Sequence, residues 1–107
     1  MILASTDEIK GKEIVEVIGL VKGNTVRARH IGQDFMAFLR NVVGGEVRNY
    51  TKLIAESREQ AIDRMVAEAE AKGANAIICV RLITASIMQG SAELLAFGTA
   101  VKVVDKK

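Results

Sequence analysis

One amphipathic segment, residues 48–73, most constrains what this chain can fold into. Apolar side chains recur there at three- and four-residue steps: Tyr50, Leu53, Ile54, Ala61, Ile62, Met65, Val66 and Ala69. This spacing predicts a helix with one broad apolar stripe. Gly73 predicts the end of the helix, because glycine adopts a left-handed conformation without a Cβ clash. The helix needs a partner surface on which to bury its stripe.

The other side of the predicted helix is charged. Two acid–base pairs are spaced four residues apart, Lys52 with Glu56 and Glu68 with Lys72. The second has the more favourable order, acid before base, and each pair contributes only about 0.2–0.5 kcal/mol. This side is expected to face solvent.

Five stretches rich in apolar and β-branched residues predict strands. They cover residues 1–5, 13–21, 25–30, 74–88 and 93–104. Turn residues predict two hairpins, one at Lys22, Gly23 and Asn24 and one at residues 89–91. We therefore expect a small antiparallel sheet.

A second, shorter helix is predicted over residues 33–43. Phe35, Phe38, Leu39 and Val42 form its apolar stripe, and Gly44 follows its end. The predicted fold class is α+β, with a small antiparallel sheet packed by one long and one short helix. Residues 1–107 are expected to form a single domain.

Composition narrows the class of protein. The net charge of +2 is too small to predict a nucleic-acid or membrane partner. The single cysteine excludes an internal disulfide and suits a reducing cytoplasm. The first residues lack a basic region followed by a long apolar run, so no signal peptide is predicted. We expect a cytoplasmic protein.

The last predicted strand is apolar on both faces. Leu95, Phe97 and Val101 alternate with a row of mostly small residues that includes Ala96, Gly98 and Ala100. A strand of this kind needs cover on both faces, and the two predicted helices can cover only one. We therefore expect a homo-oligomer in which the small-residue face meets a neighbouring subunit.

Three short sequences carry a family resemblance: RNVVGG at residues 40–45, GANAI at 73–77 and GTAV at 98–101. With the predicted order of elements, they make residues 2–104 resemble the YbjQ family of small bacterial and archaeal proteins. The description of that family names heavy-metal binding as a candidate function. The resemblance implies a fold similar to a dodecin subunit and assembly as a homopentameric ring.

The candidate metal ligands are Cys79 and His30, the only thiol and imidazole in the sequence. Heavy-metal sites usually combine several such groups, and the sequence has neither CxxC nor HxxxH. Cys79 lies in an apolar stretch, where cysteine is usually a small buried hydrophobe. The metal hypothesis therefore requires a site shared between subunits.

Anion binding is the other candidate chemistry. Gly44 and Gly45 lead into the long helix, whose N-terminal N–H groups favour phosphate or carboxylate. Four arginines lie nearby in the sequence: Arg27, Arg29, Arg40 and Arg48. Alternatively, the glycines form only a turn between helices and the arginines pair with acidic residues. Both interpretations stay open.

Catalysis is not indicated. A serine triad would have to use His30, and no GxSxG turn occurs. The sequence does not identify a cofactor. We expect a non-enzymatic assembly or binding protein that takes a small ligand or anion between subunits. The alternative is heavy-metal binding at a shared site.

Overall fold

The computed structural model describes residues 1–27, 47–88 and 91–107. These contain β1 (Ile2–Leu3), β2 (Lys12–Arg27), α1 (Val47–Ala71), β3 (Ala76–Met88) and β4 (Ser91–Asp105). The fold is α+β, with a small four-stranded sheet packed by α1. The predicted short helix at 33–43 lies outside the described residues. Within them, no helix has the length and apolar character needed to cross a membrane.

The long helix is confirmed, and it ends as the glycine predicts. Gly73 has a φ of 85°. Its N–H donates to the Glu70 carbonyl at 3.0 Å, and the Ala74 N–H donates to the Ala69 carbonyl at 3.0 Å. These two bonds form a Schellman motif, which satisfies carbonyls that the helix end would leave unpaired. The predicted Glu68–Lys72 pair forms at 3.4 Å.

The sheet is mixed, with strand order β1-β3-β4-β2. β4 pairs antiparallel with both β2 and β3, and Met88 lies opposite Ser91, as the predicted hairpin at residues 89–91 requires. β1 pairs parallel with β3, so the prediction of an all-antiparallel sheet is wrong. A two-residue strand contains too little sequence pattern to specify its partner or direction.

The predicted hairpin turn at Lys22, Gly23 and Asn24 is also wrong. β2 runs through these residues without reversing, and Gly23 pairs with Ala96 of β4. A Cβ on Gly23 would lie 2.3 Å from both the Ala61 carbonyl oxygen and the Met65 nitrogen. The glycine therefore marks a close approach of the helix backbone to the strand.

The main core lies between α1 and the sheet. Helix residues Ala61, Met65 and Ala69 follow one another at four-residue steps, and all are fully buried. They pack against buried side chains of the three longer strands: Val21, Ile77, Ala96 and Ala100.

The small-residue face of β4 is therefore covered by this chain's own helix. This corrects the expectation that it meets a neighbouring subunit. Ala96 and Ala100 are fully buried in the cluster beneath α1. Small side chains suit this face because they let the helix backbone come close to the sheet.

A second cluster covers one end of the opposite face. It consists of Ala76, Ile78, Val101 and Val103, with Ile9, Ile14 and Cys79 packed against it. Lys12 pairs with Asp105 at this end of the sheet. The hydrogen bond and the charge of the Lys12 ammonium lower the pKa of the Asp105 carboxyl.

Candidate functional site

On the face of the sheet turned away from α1, the described residues leave an apolar region uncovered. The pairing of β4 with its two neighbours places side chains in rows across this face. Leu95 lies between Asn24 and Ile83, and Phe97 lies between Lys22 and Arg81. We call this region the open face: Leu20, Lys22, Asn24, Val26, Arg81, Ile83, Ala85, Glu93, Leu95, Phe97 and Thr99.

Large apolar side chains on the open face are strongly exposed. Leu20 is 62% exposed, Val26 53% and Ile83 49%. At the other end of the same face, Ile9 packs over the second cluster. Scattered apolar residues are ordinary on a protein surface, but a contiguous group bordered by polar residues is typical of an interaction site.

The polar members of the open face carry both signs of charge. Lys22 and Arg81 flank Phe97, whereas Glu93 lies between Val26 and Ala85. The Arg81 guanidinium donates to the Ser5 carbonyl at 2.8 Å and to the Val80 carbonyl at 2.9 Å. Leu95 and Phe97 on the middle strand thus have both polar and apolar neighbours, and such a mixture is usual in a protein–protein interface.

Cys79 lies at a bulge in β3. The pairing with β4 shifts between Ile78 and Arg81, and Cys79 has a φ of 55°, in the left-handed region that favours glycine. The Cys79 and Val80 N–H groups donate to the carbonyls of Thr6 and Ala4, at 2.9 and 3.0 Å. The bulge therefore ties the segment after β1 to β3.

The environment of Cys79 is partly as predicted. It is half-buried and packs against the second cluster, as expected for a small apolar residue. Within residues 1–27, 47–88 and 91–107, no three histidine, cysteine, aspartate or glutamate residues lie close enough to hold a metal ion. Heavy-metal sites normally need several such donors, so the described residues of one subunit do not fit one. His30 lies outside the described residues.

The predicted anion site remains a prediction. Arg27 is the last residue of β2 and Arg48 is the second residue of α1. Their side chains lie outside what the structure describes, as do Arg29, Arg40, Gly44 and Gly45.

A cleft of about 630 Å³ lies beside the start of β2. Residues 6–14 line it together with Lys106, and its charged groups are three acids and three lysines: Asp7, Glu8, Glu13, Lys10, Lys12 and Lys106. This balance favours neither a cation nor an anion.

Comparison with known proteins places the chain in a family. Residues 1–104 match the family model YbjQ_1, whose description is "Putative heavy-metal-binding". The chain belongs to the YbjQ family. Relatives within it are closely similar, including a UPF0145 protein of Dehalococcoides mccartyi that is 55% identical over 96% of this chain and 99% of its own length.

Two further relatives come from other organisms. A UPF0145 protein of Vibrio parahaemolyticus is 56% identical over 98% of this chain and its whole length. A UPF0145 protein of Methanosarcina acetivorans is 51% identical over 99% of this chain and its whole length. The YbjQ resemblance is thereby confirmed over the full range predicted.

A solved structure supports the fold. A protein of unknown function of the DUF74 family from Pediococcus pentosaceus aligns with a TM-score of 0.64, covering 97% of this chain and 98% of its own. Its sequence identity is 12%, so the likeness concerns the fold alone.

Proposed function

We propose that this YbjQ-family chain is a non-enzymatic subunit that assembles with copies of itself through the open face. The observation that carries the proposal is the exposure of Leu20, Val26 and Ile83 beside Leu95 and Phe97. Burying apolar surface stabilises association by roughly 25 cal/mol per Å² before the costs of association are subtracted. A second copy of this chain is the partner we propose for the open face, because it is always present at the same concentration as the chain itself.

The dimensions of the chain support this proposal. It extends 58 Å along its longest axis and 24 and 17 Å along the others, with a radius of gyration of 17.3 Å. A compact chain of this length has a radius of gyration of about 13 Å. An elongated subunit leaves more surface to be covered by neighbours. The family resemblance gives a ring of five as the size, and a small ligand or anion would bind between its subunits.

Lysines on the open face are expected to dissociate the assembly. Leu20→Lys combined with Val26→Lys places two charges where both side chains are now exposed, so the subunit itself should fold normally. Buried in an interface, the charge at position 20 would be costly, because Leu20 pairs with Thr99 and has no acid opposite it. Native mass spectrometry of the parent should show an oligomer, and the double variant should show fewer subunits than the parent.

Val104→Lys is the matched control. Val104 is 47% exposed and belongs to β4, but it lies on the other face of the sheet, adjacent in sequence to Val103 of the second cluster. This variant should keep the mass of the parent. A parent that runs as a single subunit at micromolar concentration would rule out the proposal, as would a double variant that keeps the subunit number of the parent. The parent spectrum also reveals any small molecule that the oligomer retains.

The family description favours heavy-metal binding as a second candidate function. Because the described part of one subunit lacks a cluster of donors, the site would have to combine Cys79 or His30 from several subunits. Thiolates bind soft metals such as Cd²⁺ strongly, so such a site should saturate at a fixed metal-to-subunit ratio.

Cys79→Ser is expected to abolish stoichiometric Cd²⁺ binding if this second candidate holds. His30→Ala tests the imidazole in the same way, and isothermal titration of the oligomer measures both. Cys79 is half-buried in an apolar cluster, so Cys79→Ala, which also lacks the thiol but keeps an apolar side chain, separates metal loss from destabilisation. If the serine and alanine variants of Cys79 and the His30→Ala variant all bind Cd²⁺ as the parent does, the shared-site hypothesis is wrong.

A further inference from the structure

Among residues 1–27, 47–88 and 91–107, no strand covers the outer edge of β3 beyond Ile77. β1 pairs only with Ala76 and Ile77, and the residues after β1 reach as far as Val80. The next six residues, 81–86, are all exposed. No strand among the described residues pairs along their outer side. Both faces and one edge of this stretch are therefore accessible.

The direction of the peptide groups shows which residues of β3 have N–H and C=O groups pointing away from β4. The Val80 N–H points away from β4, because it donates to the Ala4 carbonyl. Direction alternates along a strand, so the N–H and C=O groups of Leu82, Thr84 and Ser86 also point outward. A row of such groups beside uncharged side chains is a template for another strand.

β2, the strand at the other side of the sheet, is protected. The Arg64 guanidinium donates to the Asn24 carbonyl at 2.5 Å, and the Lys72 ammonium donates to the Leu20 carbonyl at 3.5 Å. Two irregularities also interrupt β2, between Ile14 and Glu16 and between Val17 and Gly19. Charged side chains and bulges are the usual means of preventing strand addition.

We propose that the β3 edge pairs antiparallel with the β3 edge of a second copy of this chain, centred on Thr84. This inference rests on the proposed self-assembly and adds a specific contact to it. In this register Leu82 lies opposite Ser86 of the second copy, and Thr84 lies opposite its own copy. Every outward peptide group from Leu82 to Ser86 is paired.

The side chains of this stretch suit self-pairing. Residues 82–86 read LITAS, which contains no charge, so no like charges face each other. Threonine opposite threonine is a favourable cross-strand pair, and the two uncharged side chains of Ile83 and Ala85 lie opposite each other. The contact is isologous, meaning that both copies use the same surface. Subunits therefore associate in pairs, and a ring of five would form particles of ten.

Disulfide trapping tests the register. In a Cys79→Ser background, Thr84→Cys should form a covalent dimer on mild oxidation, because facing Cα atoms in such a pair are about 5.5 Å apart, within disulfide range. Ser86→Cys alone should not, since its copies would be about 14 Å apart at ~3.4 Å per residue. Leu82→Cys combined with Ser86→Cys should again cross-link. Failure of Thr84→Cys to cross-link, or equal cross-linking of Ser86→Cys, overturns the register.

Thr84→Pro tests the contact without a cross-link. Proline removes the outward N–H and is tolerated on an edge strand, whereas Thr84→Val keeps the N–H and the shape. Native mass spectrometry should show the proline variant at half the parent's subunit number and the valine variant unchanged, with circular dichroism confirming the fold. An unchanged mass for the proline variant overturns the contact.

The two proposals fail in different ways. A parent that is a single subunit rules out both. A parent with an odd number of subunits, dissociated by the lysines at Leu20 and Val26, overturns only the β3 contact. That outcome would leave the β3 edge open to an extended peptide of another protein.

Discussion

Gly23→Ala is expected to lower the free energy of unfolding by about 3 kcal/mol or more, the upper range for overpacking. The added Cβ would lie 2.3 Å from the Ala61 oxygen and the Met65 nitrogen, both of which are backbone atoms. No side-chain rotation can relieve that overlap, so α1 has to move off the sheet. Moving it would open the core around Met65 and Ala96.

Urea denaturation of parent and variant at the same protein concentration measures the loss, because assembly makes apparent stability depend on concentration. Lys102→Ala is the control. Lys102 is exposed in β4 and lies outside the open face, so its replacement should change stability by less than about 0.5 kcal/mol. A Gly23→Ala variant as stable as the parent would contradict the close approach of α1 to β2.

Gly23 also shows why part of the fold was not predictable from sequence. A glycine followed by asparagine between β-branched residues predicts a hairpin turn. In this protein the glycine instead lets the backbone of α1 lie close to β2. A hairpin glycine and a glycine beneath a helix look the same in the local sequence. Here the deciding neighbour is Ala61 of α1, nearly 40 positions away in the chain. The long helix was predictable because its stripe and its terminal glycine are local features.

The helix stripe itself contains a residue that periodicity missed. Ser57 is 1% exposed and lies four positions before Ala61, in line with Met65 and Ala69. Its carbonyl accepts a hydrogen bond from the Thr25 hydroxyl at 3.3 Å. Because serine is polar, an apolar pattern does not include Ser57. Its spacing of four residues from Ala61 nevertheless places it on the buried stripe.

The expected contact with a neighbouring subunit falls on the face of β4 that α1 covers. Both faces of that strand are apolar, so alternation alone does not say which one the helix takes. Steric reasoning would have decided it: the row containing Ala96, Gly98 and Ala100 allows close approach, whereas Leu95 and Phe97 would hold a helix away. The larger residues are thus left on the open face, where a neighbouring subunit has room to pack.

The bulge at Cys79 left no signal in the sequence. Residues 76–83 read AIICVRLI, in which a break in two-residue alternation cannot be seen. In the structure, Gly98 on the opposite strand leaves space for Ile77, since a Cβ at Gly98 would lie 2.7 Å from the Ile77 Cγ2 atom. At the bulge, the N–H groups of Cys79 and Val80 point toward Thr6 and Ala4. The segment after β1 therefore covers the β3 edge only as far as Val80.

Met65→Ala is the second large effect expected. Met65 is fully buried and is among the largest side chains in the cluster between α1 and the sheet. Truncating a buried methionine removes its transfer free energy and leaves a cavity, which together cost about 2–5 kcal/mol. Stability of single domains is about 5–15 kcal/mol, so this loss should lower the urea midpoint strongly.

Met65→Leu separates loss of volume from loss of methionine. A volume-conserving exchange in a core usually costs less than about 1.5 kcal/mol, so the leucine variant should unfold near the parent. The alanine variant should leave the open face unchanged, because Met65 and Leu95 lie on opposite sides of the sheet. Native mass spectrometry below the unfolding transition should therefore find the alanine variant assembled like the parent. Equal stability of Met65→Ala and the parent would show that the helix does not close on the sheet at this position.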